Sequence, residues 1–140
     1  MDGDIVFFDQ WLVDVQEAVH NMETDTFKLA LITAAVTPAA TDADPRWGAG
    51  GTTNFSTSQV TPGGNYATGG STLGAVTCTL TGGAAVWDGV DISIAQHASN
   101  PTNARWGIIY NDTAAGKQAV GYLDLGAAID LSAGAFSVTW

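Results

Sequence analysis

Residues 104–140 alternate apolar and small or polar side chains with a period of two, and this constrains the fold more than any other feature of the chain. Trp106, Ile108 and Tyr110 alternate with Arg105, Gly107 and Ile109, which sends the two sets to opposite faces of a strand. Residues 111–116 are turn formers: Asn111 and Asp112 can bond their own backbone, and Gly116 can take a positive φ. The expected result is a hairpin pairing residues 105–110 with 118–124. Phe136, Val138 and Trp140 alternate in turn with Ser137 and Thr139, and Trp140 is expected to be tied into a sheet or an interface.

The rest of the composition agrees with strands. Seventeen glycines and only 13% charged residues suit short strands and tight turns better than a helical bundle, which draws on Lys, Glu and Leu. A length of 140 residues fits one domain, residues 1–140, around one core. Fourteen acidic residues stand against Lys28, Arg46, Arg105 and Lys117, for a formal charge of −10. A surface of that sign repels phosphate, so neither nucleic acid nor an anionic membrane is an expected partner. The single cysteine, Cys78, rules out an internal disulfide and fits synthesis in a reducing cytoplasm. No apolar run reaches the ~20 residues needed to span a bilayer, and the start Met-Asp-Gly-Asp lacks the positive charge of a signal peptide.

Residues 4–20 carry the one helical periodicity. Ile5, Phe8, Leu12, Val15 and Val19 recur at steps of three and four, with Trp11 off that stripe. Asp2 or Asp4 is the expected cap at the start and Asn21 the expected end, and the apolar stripe is expected to dock on the sheet or on a neighbouring subunit. A strand follows over residues 27–33, with Phe27, Leu29 and Leu31 on one face. Residues 34–71 then lose all strong periodicity to Gly, Thr, Ala and Pro. So long a stretch reads as an arm or functional loop that acquires order against a partner, pinned by Trp47, Phe55, Val60 and Tyr66.

Residues 73–81 and 84–87 flank Gly82-Gly83, a pair suited to a primed hairpin turn. In that register Leu80 faces Ala85 and Cys78 faces Trp87, with Cys78 at an inward position. Val90, Ile92 and Ile94 form a further strand, and residues 97–103 a polar loop. These runs predict a mainly β fold: an antiparallel β-sandwich or a Greek-key or jelly-roll-like barrel, with one N-terminal amphipathic helix and a long Gly/Thr/Pro-rich arm.

The chemistry-bearing residues form no persuasive set. Cys78 with His20 or His97 suggests a thiol hydrolase only on paper, because an inward cysteine without a basic neighbour is expected to be packing. Asp42 with Asp44 and Asp88 with Asp91 lack the spacing of a calcium loop, the histidines lack zinc spacing, and no metal or cofactor is expected. Gly48-Ala-Gly-Gly-Thr and Thr61-Pro-Gly-Gly-Asn have no Gly-Lys-Ser/Thr ending and read as turns. Trp47, Tyr66 and Trp106 offer an aromatic platform for a sugar, or else anchors to the chain's own core or another chain. Arg46-Trp47 and Arg105-Trp106 each place a scarce cation beside a ring, either to anchor an interface or to form an ordinary salt bridge within the subunit. The chain is not expected to be an enzyme.

The order of segments resembles a family of small tailed-bacteriophage virion proteins, the structural or head-decoration proteins found beside the major capsid protein. The residues that carry the resemblance are the N-terminal helix ending near Val19-His20, Asp25-Thr26-Phe27-Lys28-Leu29-Ala30-Leu31, and Gly64-Asn65-Tyr66-Ala67-Thr68-Gly69-Gly70. They end with Ala104-Arg105-Trp106-Gly107-Ile108-Ile109-Tyr110-Asn111-Asp112-Thr113 and Gly121-Tyr122-Leu123-Asp124-Leu125-Gly126. The resemblance spans nearly the whole chain and rests on scaffold motifs. It implies a non-enzymatic cement protein on the outer face of the capsid, a homotrimer whose partners are the major capsid protein and itself. Helix 4–20 or arm 34–71 would make the contacts, through Phe8, Trp11, Arg46, Trp47, Phe55, Tyr66, Arg105, Trp106 and Trp140. The rival expectations are an adhesin-like module of the tail or a head fibre, and a carbohydrate-binding module.

Overall fold

Strands dominate, as the alternating patterns require. The computed structural model describes residues 4–140. In chain order it contains β1 (Val6–Phe7), α1 (Asp9–Gln16), β2 (Phe27–Ile32), β3 (Pro45–Arg46), β4 (Thr53–Asn54), a 3-10 turn (Phe55–Ser58) and β5 (Ser71–Leu73). Then come β6 (Thr77–Thr81), β7 (Ala84–Asp88), β8 (Ile92–Ile94), β9 (Ala104–Asn111), β10 (Ala119–Ile129) and β11 (Phe136–Val138). The fold is mainly β and antiparallel with one short helix; the pair β3–β4, two residues long, runs parallel.

The centre is a five-stranded antiparallel sheet in the order β1-β10-β9-β2-β5. The expected β9–β10 hairpin forms, with Tyr110 opposite Ala119 and Tyr122 opposite Ile108. Its turn takes the left-handed conformation at Lys117 (φ 48°) and not at Gly116. The side of Gly116 where a Cβ would stand is occupied by Arg46 and Gln118. β2 pairs with β9 from Phe27 opposite Asn111 to Ile32 opposite Trp106.

Both faces of this sheet are covered. Phe27, Leu29, Leu31, Ile109 and Leu123 pack under the β8–β11 ribbon with Ile92, Ile94, Phe136 and Val138. On the other face Ala30, Ile32, Ile108 and Tyr110 meet Phe8, Trp47 and Phe55. Trp140 is tied down as expected: its backbone N–H donates to Asp91 Oδ1 and its indole N–H to the Val90 carbonyl, both at 3.3 Å.

Residues 34–71 are pinned by their rings, and the pinning is internal. β5 pairs with β2 only from Phe27 to Leu29, which leaves the far half of the β2 edge unpaired by a strand. The arm takes over there: the Leu31 N–H donates to the Tyr66 hydroxyl at 2.7 Å, Val60 N–H donates to the Leu31 carbonyl at 3.1 Å, and Thr33 N–H donates to the Ser58 carbonyl at 3.0 Å. An open sheet edge is a row of unsatisfied donors and acceptors, so covering it is reason enough for the arm to be ordered. Asn54 caps the 3-10 turn through Ser56 N–H at 3.0 Å, Trp47 stacks on Tyr110 at 5.3 Å, and the Tyr110 hydroxyl donates to the Gly69 carbonyl at 2.9 Å. Gly70 (φ +82°) passes so close to β2 that a Cβ would run into the Leu29 carbonyl oxygen. The expectation that this segment orders itself against other molecules is therefore corrected.

The helix is shorter than residues 4–20. Val6 and Phe7 join the sheet as β1, opposite Tyr122 and Gly121, and α1 starts at Asp9 with Phe8 in the cap position and no side-chain cap bond. Asp4 makes no such cap, and Asp2 lies outside the described residues. The helix stops at Glu17, not Asn21. Ala18 takes φ 57°, its N–H donates to the Val15 carbonyl at 3.2 Å, and Val19 N–H donates to the Asp14 carbonyl at 2.8 Å, the paired bonds of a Schellman ending.

Candidate interaction surface

Only part of the expected apolar stripe docks: Ile5 and Val19 are half-buried, but its middle faces outward. Phe8 is buried, but Leu12 is 58% exposed, and Val13 and Val15 are also exposed, while Asp14 is 5% exposed. A polar network explains the inversion. Asp14 Oδ1 accepts from Gln10 Nε2 at 3.0 Å, and Asp14 Oδ2 lies 3.7 Å from Nε2 of buried His20. Asn111, fully buried at the start of the β9–β10 turn, accepts from Thr113 and Ala114 N–H and donates to Asp25 Oδ2 at 2.7 Å. Its amide also sits 3.1 Å from His20 Nδ1, so Nδ1 accepts and the imidazole proton sits on Nε2, aimed at Asp14. Burial holds the His20 pKa below its ordinary value against the opposing pull of Asp14 and Asp25. The helix thus turns a carboxylate inward, bonded at Oδ1 within the helix and only close to His20 at Oδ2, and its apolar residues are left for something else.

The β6–β7 hairpin forms in the expected register, Cys78 opposite Trp87 and Leu80 opposite Ala85, around Gly82 (φ 58°) and Gly83 (φ 84°). Its expected burial does not follow. Every residue of β6 is exposed, Leu80 at 80%, and Cys78 is an exposed free thiol, which corrects its reading as an inward packing residue. Trp87 alone anchors the pair, edge-on to Phe27 at 5.1 Å, with its indole N–H donating to the Met22 carbonyl at 2.8 Å.

Between this hairpin and the β1–α1 segment lies a groove of about 470 Å³. Phe7, Trp11 and Met22 form one wall, Cys78, Val86 and Trp87 the other, and exposed Asp4 lies beside them. Phe7 and Trp11 are themselves in contact at 4.5 Å. The exposed Val6, Leu12, Val13, Leu80 and Val86 belong to the same two segments, so they and the groove make up most of the exposed large apolar surface.

The nine expected contact residues fall elsewhere, apart from Trp11. Phe8, Trp47, Phe55 and Tyr66 are buried within the chain and have no surface to offer a partner. Burial pushes the Tyr66 hydroxyl up to about 12 against its bond to the Leu31 backbone, so it remains a protonated internal group. With Trp47 and Tyr66 enclosed, the three-ring platform for a sugar does not exist. Arg46 is clamped by both oxygens of Asp44, Nε at 2.9 Å and Nη2 at 3.1 Å. Arg105 pairs with Asp124 and lies 3.9 Å over the half-buried Trp106 ring, which sits edge-on to Tyr122. Both arginines therefore form salt bridges inside the subunit.

The remaining polar candidates are also committed. Asp42 accepts from Ala39 N–H, Asp88 from Gly89 N–H and Asp91 from Trp140 N–H. Among the described residues no three His, Cys, Asp or Glu side chains converge as metal ligands. The His20 side chain is sealed from solvent, and His97 Nδ1 accepts from Ser99 N–H at 3.0 Å. The exposed hairpin was missed because alternation fixes which residues share a face but not whether that face is covered. Its small side chains, Thr77, Thr79, Thr81, Ala84 and Ala85, were the available signal, since they give either face little to bury. Set against protein-family models, curated proteins and solved structures, the chain matches no family model, no curated protein and no solved structure.

Proposed function

We propose that this protein is a non-enzymatic structural protein of a tailed-bacteriophage virion, a capsid decoration or cement protein acting as a homotrimer on the outer face of the icosahedral shell. The observation that carries the reading is the unpartnered apolar surface of α1 and the β6–β7 hairpin, held out from a body in which Phe27, Trp47, Phe55, Tyr66 and Tyr110 are enclosed. Apart from the exposed Cys78 thiol, the candidate polar side chains are engaged in the fold, as the sealed His20 and the clamped Arg46–Asp44 pair illustrate. Within this reading the β8–β11 ribbon over the five-stranded sheet is the second layer of a sandwich.

The physics of cementing asks for little more. A protein that binds only the assembled lattice stabilises that lattice by mass action, and repeated modest contacts supply avidity. A charge of −10 disfavours the DNA-filled interior and favours the outside. The expected outcome is a trimer by light scattering that binds emptied capsids of the parent phage. A strict monomer with no affinity for those shells would remove the reading, and antibody label on the tail tip would move the protein to the tail.

A further inference from the structure

The groove can be assigned a kind of occupant, an assignment that rests on the proposed use of this surface for docking. We infer that it receives an extended segment of another protein bearing apolar side chains flanked by lysine or arginine, and not a second copy of this chain.

Its shape carries the first half. The β1 strand is an end strand of the five-stranded sheet, and β7 pairs with no described strand except β6. Three consecutive residues of β7, Ala85, Val86 and Trp87, border the groove, so the strand turns its backbone edge as well as a face towards it. A groove between two sheet edges suits an extended chain that adds main-chain hydrogen bonds while apolar side chains enter between Phe7, Trp11 and Val86.

Charge carries the second half. Asp4 lines the groove, and the two segments that form it, residues 4–27 and 73–91, also expose Asp9, Glu17, Glu23, Asp88 and Asp91 and hold no lysine or arginine. All four lysine and arginine side chains are engaged within the chain: Lys28 and Lys117 on Asp112, Arg46 on Asp44, Arg105 on Asp124. Pairing this patch with itself would set acid against acid, and a three-fold contact with another face of a copy would meet lysine and arginine side chains that are already engaged. A basic, apolar segment meets the opposite situation, and the same carboxylates reject acidic competitors.

The test is a fluorescence titration of the intact protein with a short alternating leucine–lysine peptide and its leucine–glutamate counterpart, since Trp11 and Trp87 in the walls report occupancy. The leucine–lysine peptide should bind and the leucine–glutamate peptide should not. Affinity should fall about tenfold or more between about 0.15 M and about 1 M salt, as the screening length drops from roughly 8 to 3 Å. Val86→Ser and the double change Asp4→Asn with Asp88→Asn should each weaken binding several-fold, and Asp130→Asn should leave it unchanged. The inference is overturned if the leucine–lysine peptide fails to bind, if both peptides bind equally, or if Asp130→Asn weakens binding as much as the groove changes. It is also overturned if sedimentation shows copies associating through a contact that Val86→Ser breaks. Capsid binding lost while selective peptide binding persists would sink the virion role and leave the groove assignment standing; capsid binding without selectivity would do the reverse.

Discussion

The arm over residues 34–71 and the β6–β7 hairpin are opposites. The arm has no periodicity, yet Trp47, Phe55, Val60 and Tyr66 are buried and its backbone completes the edge of β2. The hairpin has clean alternation and a register that can be written down in advance, yet nearly all of it faces solvent. Period-two patterning reports local conformation, whereas burial is reported by large side chains that have somewhere to go. An aperiodic stretch with widely spaced rings can therefore be core, and a well-patterned hairpin of Thr and Ala can be surface.

The comparison breaks most visibly if the arm's rings are cut. Phe55→Ala, at a fully buried site stacked on Phe8, should lower unfolding free energy by about 3–5 kcal/mol in urea titrations. A loss below about 1 kcal/mol would mean the arm is not core. Tyr66→Phe removes only the hydroxyl, but it orphans the buried Leu31 N–H and should cost about 1–3 kcal/mol.

The seat of α1 sharpens the contrast through pH. The folded His20 pKa lies below 6.5, so the unfolded chain takes up its proton first. Stability from this group is whole above pH 6.5 and is lost as pH falls from there through the lowered folded value. His20→Gln should flatten that part of a plot of urea midpoint against pH, leaving the separate loss below 3.8 from Asp112, whose carboxyl is held down by Lys117 and Lys28.

Smaller effects follow at the helix end and the hairpin tip. Ala18→Gly relieves a left-handed alanine and should stabilise the protein by about 0.5–1 kcal/mol, visible as a raised thermal midpoint. Leu80→Ser, at the most exposed large apolar side chain, should change stability by no more than about 0.5 kcal/mol.

What the sequence made legible follows the same line. The β9–β10 hairpin, β2, β8 and the Gly82-Gly83 turn were all readable because their partners are near in sequence or their alternation is strict. The arm's role was not, since Tyr66 serves Leu31 across 35 residues and no local pattern encodes that bond. The helix misled because Asp14, bonded to Gln10 and lying near a buried histidine beyond the helix end, takes an inward position that the apolar stripe was expected to fill. Of the expected contact residues only Trp11 reached the groove, because ring size was taken as a sign of interfaces when most of these rings serve the interior.

Hydrogen exchange on the protein free and bound to the proposed capsid partner tests the central claim most directly. The free protein should show slow amides at Leu31 and Val60 and fast ones across Thr77–Thr81 and Ala84–Asp88, and docking should protect the hairpin and β1 while leaving the arm unchanged. Protection gained along residues 34–71, with the hairpin still exchanging freely, would contradict it.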